Sequence, residues 1–309
     1  MTLLLAVFSL SMLGQTLRTT VPYVCAALGG LWSERSGVVN IALEGLLLVS
    51  GMASVMVHHA TGSAWAGVLA GAGAAALFAL VHALLVVYGR IDAIVSGIAL
   101  NLLAAGTTRF LLRALYDSSS NSPSVTGFRI PALDGASGIL CLARTLIDPL
   151  TVLAVLAGAL TWFYLYRTRF GLRVRAAGED PDAAASVGVR VSRLRVVVVT
   201  LGGAICGLGG VALAYDQHQF QAGMSGGRGF IAVAVVVLSG WRPVHVVVAC
   251  TAFAALEALQ VVLQGRTHVP SDLVQMLPYV FTLGALFFVA RRRSIGGRAP
   301  AGLGKMESS

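Results

Sequence analysis

Long apolar runs alternate with short polar interruptions along this chain, without the two-residue alternation of a half-buried strand. Residues 42–60, 64–88, 93–112, 149–166, 194–215, 244–264 and 272–290 each predict a helix able to cross about 30 Å of hydrocarbon at about 1.5 Å per residue. Residues 3–31 form a further apolar run, interrupted by Gln15, Thr16, Arg18, Thr19, Thr20 and Pro22. One helix broken or kinked near Pro22 fits this run, and so does a helix end with a snorkelling arginine. From Gly226 to Leu238 a glycine-rich entry precedes an apolar run too short for a full span, which predicts a half-helix with its N-terminus inside the protein. The fold class expected is all-α: a polytopic transmembrane bundle with broken and half-spanning helices, residues 1–290 forming one membrane domain and 291–309 a basic tail.

The most informative polar interruption is Ser33–Gly45. Glu34, Arg35, Asn40 and Glu44 would be costly beside lipid, so they are expected to face protein or a water-filled cavity. Gly37–Gly51 and Gly226–Gly240 are loosely parallel, each a polar, glycine-containing entry to an apolar run that ends in Ser-Gly; two pseudo-repeats would place such breaks at one central site. Ser96 and Asn101 lie inside another predicted span, five residues apart and so on different faces of a regular helix. Asn101 can serve a polar pathway or simply bond a neighbouring helix. The run Gly202–Gly210 reads as close helix packing rather than a phosphate loop, since no strand precedes it and no Lys-Ser/Thr follows.

Composition fixes the class. The 309 residues are 57% hydrophobic and 11% charged, too little polar surface for a soluble globule. The net charge of +9 is concentrated in two places, seven arginines from Arg167 to Arg195 and five Lys/Arg from Arg291 to Lys305. Such clusters beside apolar spans mark cytoplasmic loops and not a nucleic-acid surface. Counting back from the tail places Arg90 inside and the polar region 116–148 outside, where it is either a docking surface or a plain connector. Arg109 and Arg113 fall near the outer end, against the charge rule. The start of the chain has no basic stretch before its apolar run, so the first helix is expected to be retained. The four cysteines lack metal-ligand spacing, and His58-His59, being adjacent, does not share a helix face.

Four stretches carry a resemblance: Glu34–Gly45, Ala93–Asn101, Arg167–Val189 and Gly223–Pro243. In this order, over about residues 20–290, the chain resembles bacterial ABC-importer permeases of the branched-chain amino acid/simple-sugar/nucleoside family, most closely the smaller permease of nucleoside-type systems. The resemblance implies a multi-pass subunit of the bacterial cytoplasmic membrane whose partners are an ATP-binding subunit, a second permease of a different sequence, an extracytoplasmic substrate-binding protein and membrane lipid. It implies that residues 167–193 carry the coupling helix that seats in a groove of the ATPase. By their own chemistry those residues predict a short helix, with Asp180 as cap, Pro181 at its first position, Asp182 against the helix dipole and Gly188 at its end. A basic loop near anionic lipid is the other reading of the same residues.

No His-Glu-x-x-His, nucleophile–base set or P-loop occurs, so no catalytic residue, metal or cofactor is expected and any ATP must be bound by another chain. An ion-coupled secondary transporter remains the alternative, with Glu44 and Glu257 as carriers, and simple sugars are the alternative substrate. The residues expected to line the pathway are Asn40, Glu44, Ser96, Asn101 and Arg228. Glu44 fits a structural pairing with Arg35 or another buried donor equally well. The residues expected to couple to the ATPase are Gly178, Glu179, Asp180, Pro181 and Ala184.

Overall fold

The computed structural model describes residues 10–128, 139–264, 276, 280–281, 284, 287 and 299–304. The span expected at 272–290 and most of the basic tail lie outside the described residues. Among the described residues eleven helices are delimited, in order α1 (Leu10–Arg35), α2 (Leu43–Thr61), α3 (Ala64–Val87), α4 (Ala93–Tyr116), α5 (Ile139–Ile147), α6 (Pro149–Arg167), α7 (Arg169–Glu179), α8 (Pro181–Ser186), α9 (Val191–Asp216), α10 (Arg228–Leu238) and α11 (Pro243–Gln264). Six of them, α2, α3, α4, α6, α9 and α11, are long and apolar enough to cross a membrane. The chain is a polytopic all-α membrane bundle.

Helix α1 does not break at Pro22 but continues to Arg35, so Ser33–Arg35, the start of the polar interruption, close this helix. Thr16, Thr19 and Thr20 turn their hydroxyls back onto the carbonyls of Met12, Gln15 and Thr16, so polar side chains that suggested an interruption are satisfied within the helix.

The centre of the bundle is α1, α2 and α9, with α3 against α9 and both α10 and α11 against α1. Hydrophobic burial does not drive helix association within lipid, so close approach at small residues does. The α9 glycines supply it: Gly202 faces the Gly29 carbonyl of α1, Gly207 faces Gly71 of α3, and Gly209 faces the Pro22 carbonyl. Of the apolar windows of α2 and α9, 61% of residues are buried, against 33% for α3 and 28% for α4, α6 and α11, so these four are the more peripheral of the spanning helices described. The clusters Arg167–Arg195, Arg90 and Arg242 all fall at one end of the bundle, which the positive-inside rule makes cytoplasmic. At the other end, residues 120–125 pair with 218–222 through Ala222 N–H to Ser120 O, Ser122 N–H to Phe220 O and Val125 N–H to His218 O.

Candidate functional site

Two helical breaks meet in the bundle. The first is Ser36–Ala42 between α1 and α2, the second Gln217–Gly227 between α9 and α10. Asn40 is fully buried and spans the first break: its amide donates to Ser33 Oγ at 3.2 Å, and its carbonyl accepts the Ala42 N–H at 3.0 Å. Asn101 on α4 secures the same break from outside, donating to the Ile41 carbonyl at 2.9 Å and accepting the Gly45 N–H at 2.8 Å. Ser96, one turn earlier and on another face, reaches it through His82, whose ring bonds Ser96 Oγ at 2.9 Å and the Val39 carbonyl at 3.1 Å.

Glu44 joins the two breaks. One carboxylate oxygen accepts Ser225 Oγ–H at 2.6 Å and the Gly227 N–H at 2.8 Å, and the other accepts the Gly229 N–H at 2.7 Å. The N–H groups at the start of α10 have no intrahelical acceptor and lie at the positive end of its dipole, so a carboxylate from across the bundle caps them. Gly227 sits at φ 82°, in the left-handed region, and a Cβ on Gly229 would collide with the Glu44 backbone. Arg228, between these glycines, pairs with Glu257 of α11, which also accepts Tyr23 Oη–H at 2.8 Å. Arg228 donates in addition to the Met224 carbonyl at 3.0 Å.

The far end of α10 is held by the same stretch of chain. Arg35 donates to the Trp241 carbonyl from Nε at 2.9 Å and from Nη2 at 2.6 Å, and the Trp241 indole N–H donates to Glu34 at 2.5 Å. Residues 34–44 therefore clamp the half-helix at both termini.

The inner end of that clamp rests on the predicted coupling segment. Asp180 caps α8 through the Ala183 N–H at 3.0 Å, Pro181 occupies its first turn and Gly188 turns the chain at φ 87°. An additional amphipathic helix, α7, precedes it. Gly178 is pressed against the Arg35 carbonyl, Glu179 lies 3.9 Å from Arg35, and Arg195 donates to Ser36 O at 3.0 Å and Ala177 O at 3.4 Å. Residues 299–304 fold over the junction: Gly302 N–H donates to Gly178 O at 2.9 Å, Gly304 N–H to Gly37 O at 3.0 Å and Ala301 N–H to Glu179 at 3.2 Å. Pro181 and Ala184 face inward, while Glu179, Asp180, Asp182, Ala183 and Val187 face out, Val187 with 79% of its surface exposed.

Cavities open at opposite ends of the bundle. The inner one, about 320 Å³, is bordered by Gly37, Val39, Arg90, Asp92, Arg195 and Gly304. The outer one, about 190 Å³, is bordered by Arg18, Phe128, Arg144, Asp148, Tyr215 and Asp216. Burial pushes the Asp148 carboxyl above its usual range, opposed by hydrogen bonds from the Leu150 and Thr151 N–H groups and by nearby Arg18. His58 and His59 take different partners, meeting Tyr215 and Tyr116 edge to face with ring centroids 5.2 and 5.8 Å away.

Of the residues singled out from the sequence, Asn40, Glu44, Asn101 and Arg228 come together at the two breaks, and Ser96 is linked to them through His82. Every polar atom of Asn40 and Asn101 named above, and both oxygens of Glu44, engage the chain itself. Glu44 does not pair with Arg35. Sequence reasoning missed Ser225, His82, Tyr23 and the capping of Glu34 by Trp241, which are joined to their partners only by long-range packing. Pairing Glu257 with Arg228, the arginine that follows the second break, was the signal available.

Residues 12–287 match the family described as branched-chain amino acid transport system / permease component. The chain is 34% identical to the guanosine ABC transporter permease protein NupQ of Bacillus subtilis, over 88% of this chain and 89% of that one. It is 34% identical to the nucleoside ABC transporter permease protein NupC of Lactococcus lactis, over 85% and 87% of the two chains. It is 32% identical to the putative glucose ABC transporter permease protein TsgC13 of Haloferax volcanii, over 96% and 97%.

Proposed function

The chain belongs to the family of branched-chain amino acid transport system permease components, and from that membership we propose that it forms one side of the translocation pathway of an ATP-driven importer of nucleosides. The permease role is the family's. The nucleoside assignment rests on the similarity to the guanosine and nucleoside permeases over most of both chains. Glucose or another simple sugar is the second reading, supported by the similarity to TsgC13.

The observation that carries the mechanism is the unbroken line of contacts from α8 to α10. An ATPase subunit seated on the exposed side of α8 pushes on Gly178 and Glu179, which bear on Arg35 and the Ser36–Gly37 turn. The clamp 34–44 passes that displacement to both ends of α10. ATP and a loaded substrate-binding protein then act as ligands favouring different positions of the half-helix, and alternation between them moves solute. In this account Asn40, Glu44, Asn101 and Arg228 shape and hold the wall of the pathway through the backbone at its two breaks. Gly178, Glu179, Asp180, Pro181 and Ala184 serve coupling in two ways: the buried ones brace the segment, and Glu179 and Asp180 lie on its exposed side.

Uptake of labelled nucleosides, with hexoses and pentoses in parallel, in cells with and without this chain tests the substrate. Chain-dependent nucleoside uptake that excess sugar leaves unchanged is expected. Chain-dependent sugar uptake without nucleoside uptake would replace the substrate and leave the mechanism.

A further inference from the structure

Where the coupling segment rests on the first break, successive carbonyls of each are held by two different elements. Helix α7 ends at Glu179, and Pro181, four residues after Ala177, has no N–H to offer the Ala177 carbonyl. Arg195 of α9, only 5% exposed, takes that carbonyl at 3.4 Å and the Ser36 carbonyl of the break at 3.0 Å. The next carbonyl on each side goes to the C-terminal segment: Gly302 N–H donates to Gly178 at 2.9 Å and Gly304 N–H to Gly37 at 3.0 Å. Ser36–Gly37 and Ala177–Gly178 are thus bridged twice in parallel, once by a side chain of the bundle and once by the main chain of residues 300–304.

Glycines from the break, from α7 and from the C-terminal segment let the second bridge form. A Cβ on Gly178 would collide with the Arg35 carbonyl, and one on Gly302 would lie 2.8 Å from the Gly178 carbonyl and 3.0 Å from Pro181 Cδ. One on Gly37 would lie 2.8 Å from Arg195 Nη2 and 3.4 Å from the Gly302 carbonyl, so both bridges converge on this turn. The segment holds its own shape through Leu303 N–H to Pro300 O at 2.9 Å, with Pro300 and Gly302 buried and Leu303 packed on the main apolar core. Ala301 N–H adds a bond to the Glu179 carboxylate at 3.2 Å.

Contacts at this joint differ in what they transmit. Gly178 against the Arg35 carbonyl is a repulsive contact, which carries a push toward the break but no pull. The Glu179–Arg35 pair is 3.9 Å long with half of the glutamate side chain exposed, and such pairs hold weakly. Hydrogen bonds resist separation, so the two bridges carry the return movement. We propose that residues 300–304 are a positioning element of transport: a tie that makes the Ser36–Gly37 turn follow the coupling segment when the ATPase draws it back, a role that rests on the importer reading above. Arg195 fixes the joint to α9, while the C-terminal segment joins its two moving parts directly to each other.

The test uses the full complex, with its ATPase and binding protein, in proteoliposomes. The parent is compared with Gly302→Ala, with a chain ending at Ala299, and with Gly73→Ala, where a Cβ meets open space. Gly302→Ala puts a methyl group against the Gly178 carbonyl and Pro181 and prises the segment off. Hydrogen exchange in the parent should show the amides of residues 301–304 protected, and in Gly302→Ala that protection should be lost. The ATP hydrolysed per labelled nucleoside or hexose accumulated should rise about five-fold in Gly302→Ala and in the shortened chain, the factor that one net hydrogen bond is worth in an equilibrium, and stay parental in Gly73→Ala. A segment that only helps the chain to fold would lower assembly, hydrolysis and uptake together and leave their ratio unchanged. An unchanged ratio in both variants, free exchange of residues 301–304 in the parent, or failure of both variants to assemble would each overturn the tie. Parental uptake driven by ATP with an unchanged ratio in the variants sinks the tie alone, whereas a parent that accumulates neither solute with ATP sinks the importer reading and the tie with it.

Discussion

Replacing Glu44 by glutamine removes one acceptor from a carboxylate that serves three donors. In the parent, Ser225 Oγ–H and the Gly227 and Gly229 N–H groups converge on its two oxygens. A glutamine amide keeps one oxygen and turns an NH₂ toward the remaining donors. Ser225 can reverse its hydroxyl and accept, but an N–H cannot, so either orientation leaves one backbone donor of α10 facing another donor. An unsatisfied buried group costs about 1–3 kcal/mol. Glu44→Ala strands both N–H groups and loses every charge-assisted bond, about 2–6 kcal/mol by the same reckoning. Ser225→Ala removes one hydroxyl donor and costs about 1 kcal/mol. The order of destabilisation expected is therefore Glu44→Ala, then Glu44→Gln, then Ser225→Ala. Thermal unfolding of the detergent-purified transport complex, followed beside uptake, reads that order, and uptake should fall in step because the start of the half-helix is no longer fixed. A Glu44→Gln complex that melts and transports like the parent would refute the capping role.

Other consequences follow from the same contacts. Arg228→Leu leaves Glu257 charged and partly buried beside Tyr23, at a cost of about 3–5 kcal/mol, and the double variant Arg228→Leu/Glu257→Leu should recover most of the melting temperature; a double variant less stable than the single one contradicts the pairing. Gly229→Ala should abolish uptake by forcing α10 away from Glu44, while Gly73→Ala, where a Cβ meets open space, should transport normally; equal uptake of the two would refute the close approach. Val187→Asp adds a charge at the exposed C-terminal cap of α8 without touching its buried residues, so melting should be unchanged while stimulation of ATP hydrolysis by loaded binding protein is lost; retained stimulation would count against docking there.

How much of this was legible in the sequence depends on the range of the interaction. The spans are visible because one property, hydropathy, decides them locally. The cap of α8 was readable for the same reason, as Asp180, Pro181 and Gly188 act within one turn. Helix α7 was hidden, because its arginines, read one by one, look like a basic loop, and only the burial of Gly171, Val174, Ala177 and Gly178 gives it a face. Polar residues announced that Asn40, Glu44 and Asn101 must be satisfied somewhere. Nothing local to Glu44 says that its donors lie about 180 positions on, two of them backbone N–H groups that carry no side-chain signature. At Pro22 the run was open to a broken or kinked helix and to a plain helix end, and α1 continues through it, with Gly209 of α9 packed against the Pro22 carbonyl. Arg109 is the converse case. Its conflict with the charge rule was visible from the start, and the structure leaves it exposed on α4.

The central claim, that ATP bound by a partner subunit drives this permease through the α8 contact, is tested most directly by uptake into proteoliposomes holding the purified complex, with ATP enclosed or absent and all ion gradients collapsed. Nucleoside accumulation is expected with ATP and none without it. Accumulation driven by a proton or sodium gradient in the absence of ATP would contradict it and make Glu44 and Glu257 candidates for ion carriers instead.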